Sequence, residues 1–254
     1  SPWEVVIAPP DFRVTAGKRA VYFTMWESTR LHQAWVEQFN YCDAVVVPSE
    51  FCVTTFNACG VDAPIYKVPL GIDQQVFYKN PKHSESLIFG ACGRTNMPGA
   101  SVRKSINVLI DAFSLAFPVE SCDPVELHVK LSPSCHIPEV YDDRIHFFAE
   151  DWSEKRLARW YNSLCAFVST SKAEGWGLHI HEAMACGVPV IASKFSGHSE
   201  LLNESTAVIV PHKLIPASGI YAGLGLWGEL DLWELVDALR RVADSSGSIQ
   251  RIAD

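Results

Sequence analysis

This 254-residue chain has no long apolar run, no clustered cysteine motif and no excess of positive charge. No apolar stretch approaches the ~20 residues that cross a bilayer as a helix. Lys plus Arg number 21 against 29 Asp plus Glu, for a net charge of −8. That balance excludes a protein that coats nucleic acid, which needs a basic face to neutralise phosphates. A small anionic ligand needs only two or three placed cations and stays open. None of the eight cysteines forms a Cys-x-x-Cys pair, which removes the common zinc and dithiol motifs. Several lie in apolar runs, as the reduced, buried thiols of a cytoplasmic protein do. The start, Ser1-Pro2-Trp3-Glu4, has neither a basic nor an apolar leader segment, so no signal peptide is expected. Asp-x-Asp is absent, and the adjacent Asp142 and Asp143 would point opposite ways in an extended segment. His179 and His181 are two apart on an expected helix and do not share a face. No catalytic metal is therefore expected. Gly-x-Ser-x-Gly and Walker A motifs are missing too, and Gly90-Ala-Cys-Gly93 is not a dinucleotide fingerprint.

What is present is a globular composition, 48% hydrophobic and 20% charged, in a chain long enough to bury a large core. Short runs rich in β-branched and aromatic residues recur at 5–8, 20–26, 44–48, 65–69, 87–93, 125–131, 145–149, 165–170, 188–193 and 207–211. Most are continuously apolar, the pattern of parallel strands covered on both faces. Helical periodicity lies between them at about 32–40, 50–59, 103–117, 153–162 and 179–186. Alternation of strand and helix predicts an α/β, doubly wound architecture. A polar, Pro-bearing stretch at 78–86 divides the chain into a short first unit, 1–82, and a second, 83–215. Residues 216–254 read as a Gly-rich loop to about 228 and a final helix over 232–243, with Leu235, Val236, Leu239 and Val242 on one face.

The richest stretch runs from Ser171 to Ser193. Gly175-Trp176-Gly177 falls at a turn from a parallel strand into a helix, where open α/β sheets bind ligands. Helix starts present free N–H groups, and glycines let a phosphate or sugar hydroxyl approach. Glu174 lies before that helix and Glu182 about one turn into it, so both carboxylates could face one crevice. Equally, Ser171-x-x-Glu174 is a capping-box pattern and Glu182 an ordinary solvated helix residue. Local physics does not separate these readings.

Arg94 follows the strand at 87–93, at the end where a ligand crevice is expected, and Lys104 sits near a helix start, where the dipole disfavours a cation unless an anion is close. Glu27 closes a first-unit strand on the side facing the second unit; a plain exposed turn residue is the alternative. The loop Glu150-Asp151-Trp152 follows another buried strand and also reads as a capped helix start.

The stretch Glu174-Gly-Trp-Gly-Leu-x-x-x-Glu182-Ala-Met-Ala-x-Gly-x-Pro-Val-Ile-Ala resembles the signature of retaining GT-B glycosyltransferases of family 4. Val47-Pro-Ser-Glu-Phe51, Val68-Pro-Leu-Gly-Ile-Asp73, Gly93-Arg94, Lys104 and Leu109-Ile-Asp-Ala-Phe113 are similar to further family segments, in order. The resemblance covers roughly 43–211 and, more weakly, the end of the chain. It implies two Rossmann-like domains facing a cleft, the first truncated to about half the usual size and lacking its Gly-rich acceptor loop. It also implies that the last helix crosses back to the first domain. The family's Gly after the lysine is here Ser105, and 95–103 departs from its phosphate loop.

The resemblance implies transfer of a hexose from a GDP- or UDP-linked donor to a carbohydrate, lipid or other hydroxyl acceptor. Arg94 and Lys104 would bind the diphosphate, and Gly175, Trp176, Gly177 and Leu178 would line the donor site. Glu182 would hold the ribose and Glu174 would orient the donor sugar. The Glu150–Asp151 loop would lie beside the base. No cofactor beyond the nucleotide sugar is implied. A nucleotide-sugar binding module without turnover is the alternative function.

Overall fold

A computed structural model of the chain describes residues 3–6, 19–80, 87–94, 100–121 and 124–244. The first unit is a four-stranded sheet of β1 (Trp3–Val6), β2 (Arg19–Phe23), β3 (Ala44–Val47) and β4 (Ile65–Lys67). They pair in sequence order and all in parallel. α1 (Gln33–Phe39) and α2 (Glu50–Ala58) cross between them. Ser49 caps α2 by accepting from the Cys52 N–H, and Glu50 suits the positive end of the helix.

The second unit is a six-stranded parallel sheet of β5 (Leu87–Gly93), β6 (Val125–Leu131), β7 (Ile145–Ala149), β8 (Ala166–Ser169), β9 (Val190–Ala192) and β10 (Ala207–Ile209). Its order is β10-β9-β8-β5-β6-β7. The chain winds outward in both directions from β5 and β8, so a topological switch point falls between them. Helices cover both faces. On one, α4 (Ile106–Ala116) and α7 (Leu232–Asp244) bury Leu109, Phe113, Leu235 and Leu239 against Leu127 and Val129. On the other, α5 (Glu154–Tyr161) and α6 (Leu178–Ala185) bury Tyr161, Ile180 and Ala183 against Phe167 and Val190. Ligands of open α/β sheets bind outside the strand carboxyl ends at such a switch point; here those ends carry Arg94 and the loop after Ser169.

Three expectations are corrected. The helix expected over 103–117 is broken: α3 (Ala100–Lys104) ends at Ser105, which takes the left-handed conformation at φ 48° before α4 begins. This is where the family carries Gly, the residue that adopts positive φ without a Cβ clash. The supposed Gly-rich loop at 216–228 is largely the turn and return strand of an antiparallel hairpin, β11 (His212–Pro216) with β12 (Leu226–Leu230). The final helix does not return to the first unit. Its apolar face, Leu235, Val236, Leu239 and Val242, is buried in the second unit's core beside α4. It is the hairpin that reaches across: Ala217, Tyr221 and Trp227 join Trp26, Phe39 and Phe56 in the first unit's core.

None of the described cysteines, Cys42, Cys52, Cys59, Cys92, Cys135, Cys165 and Cys186, forms a disulfide; Cys122 lies outside the described residues. No described helix is long and apolar enough to cross a membrane.

Candidate active site

The loop leaving β8 builds the site by binding the end of α3. Thr170 Oγ1 donates to the Lys104 carbonyl at 2.8 Å, and the Lys172 N–H donates to the Arg103 carbonyl at 2.8 Å. Both cations are thereby fixed over the switch point. Glu174 is clamped by its backbone: its N–H donates to Ser196 Oγ at 2.8 Å, and its carbonyl accepts from the Gly197 N–H at 2.8 Å. The buried carboxylate then meets two charges, Lys104 Nζ at 2.5 Å and Arg103 Nη1 at 3.1 Å. Burial opposes ionisation of Glu174, but the Lys104 ammonium and then the Arg103 guanidinium outweigh it and hold the carboxyl well below its usual range.

Arg103 also donates to the Ala173 carbonyl at 2.5 Å and reaches Glu27 of the first unit at 3.8 Å. Tyr221 of the hairpin turn donates its hydroxyl to Glu27 Oε2 at 2.5 Å. A chain of hydrogen bonds and ion pairs thus runs Lys104–Glu174–Arg103–Glu27–Tyr221 across the crevice.

The Gly-Trp-Gly turn is as tightly held. Gly177 caps α6 in the left-handed conformation at φ 94°. A Cβ on Gly175 would lie 2.6 Å from Met25 Cβ, and one on Gly197 would lie 2.1 Å from the Gly175 carbonyl oxygen. Ser49 Oγ donates to that same carbonyl at 2.7 Å. Nearby, the α2 N-terminus receives a hydrogen bond acceptor from the second unit, Glu50 N–H donating to Glu200, which also pairs with Lys67 at 3.2 Å. Two imidazoles lie beneath. Burial, with the Lys104 charge adding to it, pushes His179 down to about 3. Burial also pushes His198 down to about 4 against the opposing pull of Glu174, and its ring bonds the Ser193 carbonyl at 2.9 Å.

Of the residues singled out from sequence, Glu174, Lys104, Gly175 and Gly177 converge here, with Glu27 two contacts away. The capping alternative at Ser171 is not realised, because α6 begins at Leu178. Glu182 sits one turn along α6 and accepts from the Tyr161 hydroxyl at 2.9 Å, with burial raising its carboxyl. Trp176 is buried, its indole N–H directed at His181 at 3.4 Å, so the ring is packing and not an open sugar platform. Leu178 exposes its side chain, leaving its N–H at the helix start as the useful group. Arg94 is exposed at the carboxyl end of β5, and no ion pair among the described residues links it to Glu174 or Glu182. Residues 95–99 lie outside the described residues. Glu150 and Asp151 are exposed in the loop after the edge strand β7, which lies three strands from β8, or ~14 Å at normal strand spacing. There Arg156 holds Glu150 in a bidentate pair at 2.7 and 3.0 Å.

Sequence reasoning missed Arg103 and Tyr221. Adjacent helical residues point about 100° apart, so an unbroken helix would not turn Arg103 and Lys104 to the same side. The break at Ser105 and the 170–172 wrap bring both inward. Tyr221 carried no signal, because the hairpin placing it was read as a loop.

Two parallel α/β units whose loops meet over a switch point make this a GT-B fold. Residues 88–219 match the family model described as glycosyl transferases group 1, and the chain belongs to that family. Among curated proteins it is similar to a probable sucrose-phosphate synthase of Thermosipho melanesiensis, 26% identical over 208 residues, covering 76% of this chain and 45% of that protein. It is also similar to the lipopolysaccharide core biosynthesis mannosyltransferase LpsB of Rhizobium meliloti, 41% identical over 71 residues, covering 27% of this chain and 19% of that one. Among solved structures it resembles sucrose-phosphate synthase from Thermosynechococcus elongatus (TM-score 0.71, 18% identity, 94% of this chain and 62% of that one). Anabaena Alr3699/HepE in complex with UDP and glucose is likewise similar (TM-score 0.69, 18% identity, 93% and 65%). The chain spans less than half the length of the curated relatives it matches.

Proposed function

We propose that this chain carries the donor half of a retaining glycosyltransferase. It would bind a nucleoside diphosphate hexose and pass the sugar to an acceptor hydroxyl. The carrying observation is Lys104 held 2.5 Å from Glu174 beside the start of α6. As the glycosidic bond breaks, negative charge gathers on the departing diphosphate. Lys104, Arg94 and the free N–H groups at the α6 start would meet that charge. No metal is assigned to this step. Glu174 would hold donor-sugar hydroxyls and orient the anomeric carbon, and Glu182 the ribose, as carboxylates do in dinucleotide sites. The acceptor oxygen would bond to the anomeric carbon on the face the diphosphate leaves, with its proton passing to the departing phosphate oxygen. The cysteines set in apolar runs, such as Cys165 and Cys186, support a cytoplasmic location.

A thermal-shift panel of GDP, UDP, ADP and their sugars tests the reading. Ligands that bind the folded state raise its midpoint by mass action, so one base should stand out. No shift with any of them sinks it. A shift without product on added hydroxyl acceptors assigns the chain to binding alone, with at most slow donor hydrolysis.

A further inference from the structure

β6 departs from the expectation of strands covered on both faces. Val125, Leu127, Val129 and Leu131 are buried against α4 and α7, while Glu126, His128 and Lys130 turn half-exposed to the other face. Parallel pairing sets His128 directly beside His146 of the edge strand β7. The two rings stand 5.2 Å apart at 87°. Glu126 Oε2 lies 2.9 Å from His128 Nε2 and 3.6 Å from His146 Nε2. One ligand atom from each residue falls within 4.8 Å of the other two. Tetrahedral zinc bonded at ~2.0–2.1 Å places its ligand atoms ~3.3 Å apart, a spacing the two carboxylate contacts bracket.

We propose that Glu126, His128 and His146 bind a zinc ion through these three atoms, with the fourth position open to solvent. Two imidazoles and a carboxylate are a donor set zinc accepts readily. The His146 side chain is 43% exposed and gives the ion its route in. His128 Nδ1 has no hydrogen-bond partner among the described residues. The outer partner that tightens zinc histidines by about 10–100-fold is thus missing, and micromolar rather than nanomolar affinity is expected. The site lies between the amino ends and the middle of β6 and β7, whereas the proposed nucleotide crevice lies at the strands' carboxyl ends. The ion would pin the edge strand to its neighbour and take no part in the sugar transfer.

The test is calorimetric titration of the full chain with zinc, alongside thermal shift with and without the metal. One equivalent should bind and raise the melting midpoint. His146→Gln, at an exposed position, and Glu126→Gln should each weaken binding by about tenfold or more while melting like the wild type without metal. Cobalt(II) in place of zinc should give the visible bands of nitrogen and oxygen ligation. Absence of binding, unchanged affinity in both variants, or a thiolate charge-transfer band would overturn the proposal, the last by moving the metal to the cysteines. Because His146 is exposed, its variant keeps the test decisive if Glu126→Gln fails to fold.

Discussion

Without ligand, Glu174 neutralises Arg103 and also Lys104, the cation that an incoming diphosphate would draw on. Replacing it with glutamine keeps its shape and hydrogen bonds but removes the charge. Glu174→Gln is expected to lower turnover at least about tenfold while nucleotide affinity does not fall, a separation that kcat against KM and direct titration resolve. Equal turnover would remove Glu174 from the chemistry. His198 makes a second case. Its folded value of about 4 lies below the ~6.5 of an unfolded imidazole, so the unfolded chain takes the proton first. Its contribution to stability is complete above pH ~6.5 and fades as pH falls, by about 2 kcal/mol at pH 5. The melting midpoint should therefore drop between pH 7 and 5, and His198→Asn should flatten that slope. Glu174 adds its own loss at lower pH, starting as pH falls through the ordinary carboxylate range and continuing below it, because its folded value is depressed.

Among the elements, the turns that carry the site fit with no room to spare. Gly197→Ala would push a methyl group onto the Gly175 carbonyl, backbone that cannot swing aside. A cost of about 1–3 kcal/mol, read as a lower denaturation midpoint, should come with loss of nucleotide binding as the 174–177 turn shifts. Three strands of the second sheet were legible at this scale: 87–93, 125–131 and 145–149 are found with the expected bounds, because short apolar or alternating runs between helical periods have few other solutions. The hairpin was not. His212–Pro216 opens on His-Lys and ends in proline, and Leu226–Leu230 contains a glycine. Neither segment advertises a strand, and burial of Trp227 in the other unit's core is what secures the pair. Lys104 and the Glu174–Glu182 spacing could be read from sequence because the family pattern is long. Arg103 could not, since its direction depends on the Ser105 break.

At the level of the whole molecule, Arg103 joins the two units. It is buried, with Glu174 on one side and Glu27 on the other. Arg103→Met leaves both carboxylates short of a partner and should cost roughly 3–5 kcal/mol. Adding Glu27→Gln should recover part of that loss, and a double-mutant cycle on urea midpoints measures how much. Full additivity would show that the pair does not couple the units.

The two-handed grip of Arg103 also bears on timing. A diphosphate drawing Lys104 toward itself loosens one side of Glu174, and Arg103 must then redistribute its hold between Glu174 and Glu27. An arriving donor would thus be felt at Glu27 and, through it, at Tyr221 on the opposite bank. By reciprocity the acceptor sends the same message back with equal strength. On the proposed function, any coupling between donor and acceptor would therefore pass through a single guanidinium.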